Sequence, residues 1–189
     1  MKRASGVLLH ISSLPGPFGI GTLGQEAYAF VDQLAKAGVA YWQILPLSPT
    51  GPSHSPYFSL SLFANNPFYI DPRSLAQAGF LTDAEVERFL YDGSEGKTDF
   101  AFAKSNSDAY LKLAYSRLSE AQETEMLTFV NPSGAWLNHY AMFSCLHARF
   151  GRVNWQEWPE DLASYDEKNL TLYFADDERQ RELEYYYFI

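Results

Sequence analysis

Tyr57 and Phe58 close a run, Ser48-Pro-Thr-Gly-Pro-Ser-His-Ser-Pro-Tyr-Phe-Ser59, that is too rich in Pro, Gly and Ser for a regular element. An aromatic face on a stiff loop, beside Ser55, Ser59 and His54, suits a sugar ring. Such a ring needs its apolar face stacked and its hydroxyl edges hydrogen-bonded. The same residues can instead pack the loop against its own scaffold, and composition leaves both readings open.

Other spacings are tested against the chemistry they suggest. Gly19-Ile-Gly21-Thr-Leu-Gly24 spells the dinucleotide fingerprint, whose glycines must follow a strand directly so that a helix start can hold the pyrophosphate. Here eight residues, Pro15 and Pro17 among them, separate His10 from Gly19, and Pro46-Leu47-Ser48 stands where the ribose-binding acid belongs. Nucleotide binding is therefore set aside. Retaining glycosyl transfer needs two carboxyl groups about 5–5.5 Å apart, and the sequence offers no such pair. Asp32 falls on the polar side of a helix, Asp71 reads as a helix cap before Pro72, and Glu157, Glu160 and Asp161 read as solvated around a Trp-rich turn. His10 reads as a hydrogen-bonded structural histidine. His139 and His147 lack a third ligand, so no metal site is expected. Trp136, Tyr140 and Phe143 fall at helical spacing and read as core, the alternative being a sugar platform of Trp136, Trp155 and Trp158.

The elements that must carry these residues follow from periodicity. Gly6 to His10 reads as a short strand. Glu26 to Ala37 reads as a helix with Ala27, Phe30, Val31 and Leu34 inward and Gly38 as its stop. Trp42 to Leu47 is a nearly continuous apolar strand of the kind buried on both faces. Strand, helix, strand predicts a βαβ unit with parallel strands, whose ligand chemistry gathers at the strand carboxyl ends, after His10 and after Leu47. Beyond it the pattern is helical: Asp71-Pro72 opens a short helix to Gly79, Thr82-x-x-Glu85 is a capping box, and Gly93 to Lys97 is a polar turn. A stretch from about Ala101 to Thr128, continuous or interrupted, and another from Pro132-Ser133 to about Arg149 read as helical. Asp176 to Ile189 reads as one more, ending in Tyr185-Tyr-Tyr-Phe-Ile189.

The expected class is α/β. Residues 1–71 form the βαβ part with the ligand loop, 72–175 a mainly helical insertion, and 176–189 the start of a helix toward a third strand. Two parallel strands make an unfinished sheet, so the chain is expected to be the first part of a longer protein. Its open strand edges favour self-association. The balance of 23 acidic against 14 basic residues, a net charge of −9, argues against nucleic acid and anionic membrane as partners. The single cysteine, Cys145, excludes an internal disulfide and reads as a small core residue. With no apolar run near the ~20 residues of a bilayer span and no signal peptide, a cytoplasmic setting is expected.

Three blocks, Gly6-Val-Leu-Leu-His10, Ser13-Leu-Pro-Gly-Pro-Phe-Gly-Ile-Gly-Thr-Leu-Gly24 and Tyr41 through Asp71, together resemble the amino-terminal part of 4-α-glucanotransferases, the amylomaltase or disproportionating enzymes. The likeness continues weakly through Trp136-Leu137, Tyr140-Ala-Met-Phe143 and Trp155-Gln-Glu-Trp-Pro159. It implies the start of a TIM (β/α)8 barrel, with the chain stopping before strand three. It also implies retaining transfer of α-1,4-glucan segments between maltooligosaccharides, without organic cofactor or metal. The catalytic carboxylates of that family lie on later strands, so none is carried over and this chain alone is expected to be inactive. Carried over is binding: Tyr57 on or beside the glucose next to the cleaved bond, with Ser55 nearby. The family usually has Gly-Tyr-Gly-Asp-Ser-Pro-Tyr where this chain has Gly51-Pro-Ser-His-Ser-Pro-Tyr57. Pro52 and His54 thus depart from it, and the resemblance does not carry over an accessory glucan site. Thr22 stands where Asp is frequent. The rival readings are a non-catalytic glucan-binding module and a degenerate pseudoenzyme.

Overall fold

The computed structural model describes residues 3–93 and 96–189; Ser94 and Glu95 of the expected polar turn lie outside them. The chain divides into two compact units, Met1–Arg117 and Leu118–Ile189.

In the first unit β1 (Gly6–Leu8) and β2 (Tyr41–Gln43) pair in parallel, with Val7 opposite Trp42, and α1 (Gln25–Lys36) connects them. Both strands are shorter than their apolar runs. The ladder extends one step, Leu9 N–H to Gln43 O at 3.1 Å, and then stops. The next amide in line, Leu45 N–H, donates to His10 Nδ1 at 3.3 Å, so a side chain takes the place of a backbone acceptor. The expectation of a strand buried on both faces is not met. Tyr41 and Gln43 are exposed and only Trp42 is half-buried. A parallel strand is covered when it has neighbours on both edges and helices on both faces; among the described residues β2 has β1 alone.

α1 turns Ala27 and Phe30 onto the core, Phe30 meeting Trp42 edge-on at 5.0 Å. Val31, expected inward, is exposed, so the apolar stripe is narrower than the spacing suggested. Gly38, at φ +71°, ends this segment as expected. Asp71 caps α2 (Pro72–Gln77), accepting from Arg73 N–H, with Pro72 in the first turn. The Thr82–Glu85 capping box opens α3 (Asp83–Glu87). α4 (Phe100–Tyr115), capped by Asp99, belongs to the same unit and places Ala103 in a core with Ile11, Leu14, Ile20, Ala27 and Tyr69. Its Tyr110 hydroxyl donates to Ile70 O at 2.9 Å.

The second unit holds α5 (Glu120–Ser133), α6 (Ala135–Arg149), α7 (Glu160–Ala163), α8 (Glu167–Tyr173) and α9 (Asp177–Phe188). The long stretch expected from Ala101 is two helices, because Ser119 and Gln122 form a capping box that starts α5 afresh. Pro132 sits inside the last turn of α5 and does not begin the next helix. The break falls at Gly134, whose φ of +75° turns the chain where a residue with a Cβ would be strained. Ala141, Cys145, Leu146, Trp158, Leu162, Leu170, Phe174 and Leu183 form this unit's core. Burial beside Glu182 pushes the Cys145 thiol up to about 12, so it stays protonated and inert. Among the described residues no helix is long and apolar enough to cross a membrane.

Candidate functional site

The segment from Ile44 to Tyr69 leaves the carboxyl end of β2 and returns through a 3-10 turn, Pro67–Tyr69. Its prolines and serines forbid a regular element, yet its backbone is cross-linked. Asn66 N–H donates to Leu47 O at 2.7 Å and closes the stem. Thr50 and Ser59 form an antiparallel bridge, flanked by Gly51 N–H to Phe58 O at 3.0 Å and Leu60 N–H to Pro49 O at 3.2 Å. The Ser59 hydroxyl donates to Pro49 O at 2.9 Å. Within this small hairpin Phe58 N–H donates to Ser55 O at 3.0 Å, and Tyr57 N–H lies 3.4 Å from Ser55 Oγ.

The tip carries the sequence-predicted site residues. Tyr57 is 76% exposed and meets solvent, whereas Phe58, 60% exposed, lays its ring against Gly51 of the same loop. Ser55, half-buried, is two residues away and turned back toward the Tyr57 amide. His54 behaves differently from its neighbours. Held at φ +55°, it lays its ring flat on Phe100 of α4, centroids 4.3 Å apart and planes 5° apart. It anchors the loop and does not share an edge with Tyr57. Sequence reasoning missed Phe100 as the seat of this stack, because nothing local links positions so far apart. From Ile44 to Ile70 there is no Asp, Glu, Lys or Arg, so the loop presents an aromatic, hydroxyl-bearing and uncharged surface. That chemistry fits a neutral polyol better than an ion.

His10, two residues beyond β1 and at the start of a 3-10 turn (Ile11–Ser13), is a buried histidine with two partners, Leu45 N–H on Nδ1 and the Tyr69 hydroxyl 2.9 Å from Nε2. Burial lowers its pKa. Burial likewise pushes the Tyr69 phenol up to about 12, against an opposing hydrogen bond from Asn66.

The glycine fingerprint serves packing. Gly19 takes φ +75°. A Cβ on Gly21 would lie 2.9 Å from Leu14 Cβ and closer still to the Ile11 carbonyl oxygen. A Cβ on Gly24, which caps α1, would collide with the Asp71 carboxylate. At Gly21 and Gly24 the missing side chain thus makes room for neighbouring protein atoms. Asp71, 2% exposed, accepts from Thr22 Oγ1 at 2.9 Å, from Arg73 N–H at 2.8 Å and from the Arg73 guanidinium at 2.7 and 3.0 Å. Burial by itself would raise this carboxyl. The Arg73 side chain, the Thr22 hydroxyl and the Arg73 backbone N–H outweigh it and hold the pKa below the usual range. Arg73 also pairs with Glu26 and lies over the Phe18 ring at 5.2 Å.

The remaining candidates stay apart from this loop's chemistry. Asp32, Glu157, Glu160 and Asp161 are exposed. Trp158 is buried in the second unit's core between Phe143 and Phe150, while Trp155 is exposed and Trp136 and Tyr140 are half-buried. His139 meets Tyr165 edge-on and His147 stacks on Phe143. Among the described residues no group of three or more His, Cys, Asp or Glu side chains could hold a metal ion.

Comparison with known proteins places this loop in context. Residues 9–189 match a family model described as 4-alpha-glucanotransferase. The 4-alpha-glucanotransferase of Thermus thermophilus is 40% identical over 174 residues, covering 90% of this chain and 34% of that protein. That of Synechocystis sp. is 35% identical over 192 residues, covering 100% of this chain and 37% of the relative. Among solved structures, amylomaltase from Streptococcus agalactiae in complex with acarbose superposes with a TM-score of 0.90 at 33% identity, covering 98% of this chain and 38% of that one. This chain spans about a third of the length of the curated relatives it matches.

Proposed function

The chain belongs to the 4-alpha-glucanotransferase family, and from that premise we propose that residues 1–71 form the opening of a catalytic barrel and carry part of its glucan-binding wall. Residues 72–175 are the helical insertion of that barrel domain, and 176–189 lead toward its third strand. The activity is transfer of α-1,4-glucan segments between maltooligosaccharides. The donor glucan is held as a covalent glycosyl-enzyme and passed, with retention, to the 4-hydroxyl of an acceptor. Both carboxylates of that double displacement lie outside this chain, which is inactive alone. The chemistry requires no cofactor, and the setting is the cytoplasm.

One observation supports this reading above the others. Tyr57 stands exposed on a cross-linked, uncharged loop at the carboxyl end of a parallel strand. Barrel folds place their ligands at that end. A ring held there stacks on the apolar face of a glucose unit, with Ser55 beside it for a hydroxyl.

Tyr57→Ala in this chain is expected to weaken maltoheptaose binding about tenfold, from losing roughly 50 Å² of apolar contact. Tyr57→Phe should retain most of the affinity. Calorimetric titration reads the difference, and an unchanged Kd for Tyr57→Ala would remove this ring from the site. The open edge of β2, with Tyr41 exposed, also favours association of the isolated chain. A concentration-independent monomer in sedimentation would contradict that.

A further inference from the structure

The loop from Ile44 to Tyr69 has two ends, and one side chain holds both. Leu45, at the entry, donates its backbone N–H to His10 Nδ1, across 35 residues of sequence. Tyr69, at the exit, brings its hydroxyl to His10 Nε2, across 59. The two rings also meet edge-on, centroids 5.5 Å apart at 87°. His10 is itself fixed by its neighbour: Leu9 donates to Gln43 O and accepts from the Trp42 indole N–H at 2.7 Å. The imidazole therefore sits just past β1, between the points where the Tyr57 loop leaves and rejoins the scaffold.

We propose that His10 is a positioning residue for this loop, a clasp that joins its entry to its exit and so fixes where Tyr57 stands. This rests on the glucan-binding reading of Tyr57. The bond pattern dictates the protonation state. A backbone N–H can only donate, so Nδ1 must present its lone pair, and the proton resides on Nε2 and points to the Tyr69 oxygen. A second proton, on Nδ1, would set donor against donor at Leu45 and release the entry of the loop, while the exit stays bound. Tyr69 is the ionisable side chain facing the ring, and burial is the sole cause of the lowered His10 pKa, with no neighbouring charge contributing. Acid thus opens one side of the clasp.

The experiment combines hydrogen exchange and maltoheptaose titration on the 189-residue chain from pH 7.5 downward, with the His10 ring titration followed by NMR. Leu45 amide protection, corrected for intrinsic exchange, should fall about tenfold as the His10 ring signals titrate, the scale of one lost hydrogen bond. Maltoheptaose affinity should fall in parallel. In His10→Asn the amide oxygen can still accept from Leu45 but does not titrate. Its affinity at pH 7.5 should fall severalfold, because the shorter side chain no longer reaches Tyr69, and its pH dependence should be flat. Leu45 protection unchanged across the His10 titration in the parent chain overturns the clasp, and so does full pH dependence persisting in His10→Asn. If Tyr57→Ala binds maltoheptaose like the parent, the glucan reading fails separately, and the Leu45 exchange data still decide the clasp.

Discussion

Asp71→Ala is expected to cost about 3 kcal/mol of stability or more. The side chain ends on three kinds of donor, and its loss removes a helix cap and two charge-assisted bonds to Arg73, and leaves the Thr22 hydroxyl without its acceptor. Arg73 retains Glu26, so the cation is not stranded, which keeps the cost below that of a fully unpaired buried charge. Asp71→Asn should be milder, near 1–2 kcal/mol, because the amide oxygen still caps α2. The two variants differ most in acid. The Asp71 carboxyl has a folded pKa below its unfolded value. Its contribution is therefore complete above the unfolded pKa and fades as pH falls through the folded one. Chemical denaturation across pH 2–6 should show that acid-side loss in the parent chain and a shallower one in Asp71→Asn. Equal acid profiles would mean that Asp71 is not the group responsible.

Gly21→Ala is expected to prevent stable folding, with a cost beyond about 3 kcal/mol. The obstruction is backbone: the added methyl would overlap the Ile11 carbonyl, and Ile11 is fully buried in the core. Gly38→Ala is the control. A Cβ at Gly38 meets nothing within 4 Å, so only its positive φ is penalised, about 1–2 kcal/mol. Thermal unfolding should separate the two clearly. Were Gly21 kept for a phosphate, its replacement would cost binding and spare stability. A Gly21→Ala chain as stable as Gly38→Ala would restore that possibility.

Parts of this architecture are legible residue by residue. Asp71 before Pro72, Thr82 three residues from Glu85, and Gly38 after an apolar periodic run are local signals, and each appears as read. The parallel pairing of the first two strands and the family resemblance of the three motif blocks also hold. What escaped the sequence is long-range. The meeting of Gly24 with Asp71, the single histidine shared by Leu45 and Tyr69, and the His54–Phe100 stack join positions separated by dozens of residues, and no periodicity encodes them. Strand length was misjudged for the same reason, since the ladder ends where His10 captures an amide. Spacing puts Val31 inward, yet the fold leaves it exposed, since periodicity defines a stripe without defining how much of it is covered. An interruption within the Ala101–Thr128 stretch is compatible with its pattern, and the signal that fixes its position is local: Ser119 followed three residues later by Gln122.

The absence of formal charge between Ile44 and Ile70 has a consequence for working conditions. A neutral guest meeting a neutral lip is neither hurried nor hindered by ions. Swings in potassium or magnesium around the protein should leave this encounter untouched. Osmolytes that compete for hydroxyl contacts, and the viscosity of a sugar-laden medium, are what would slow it.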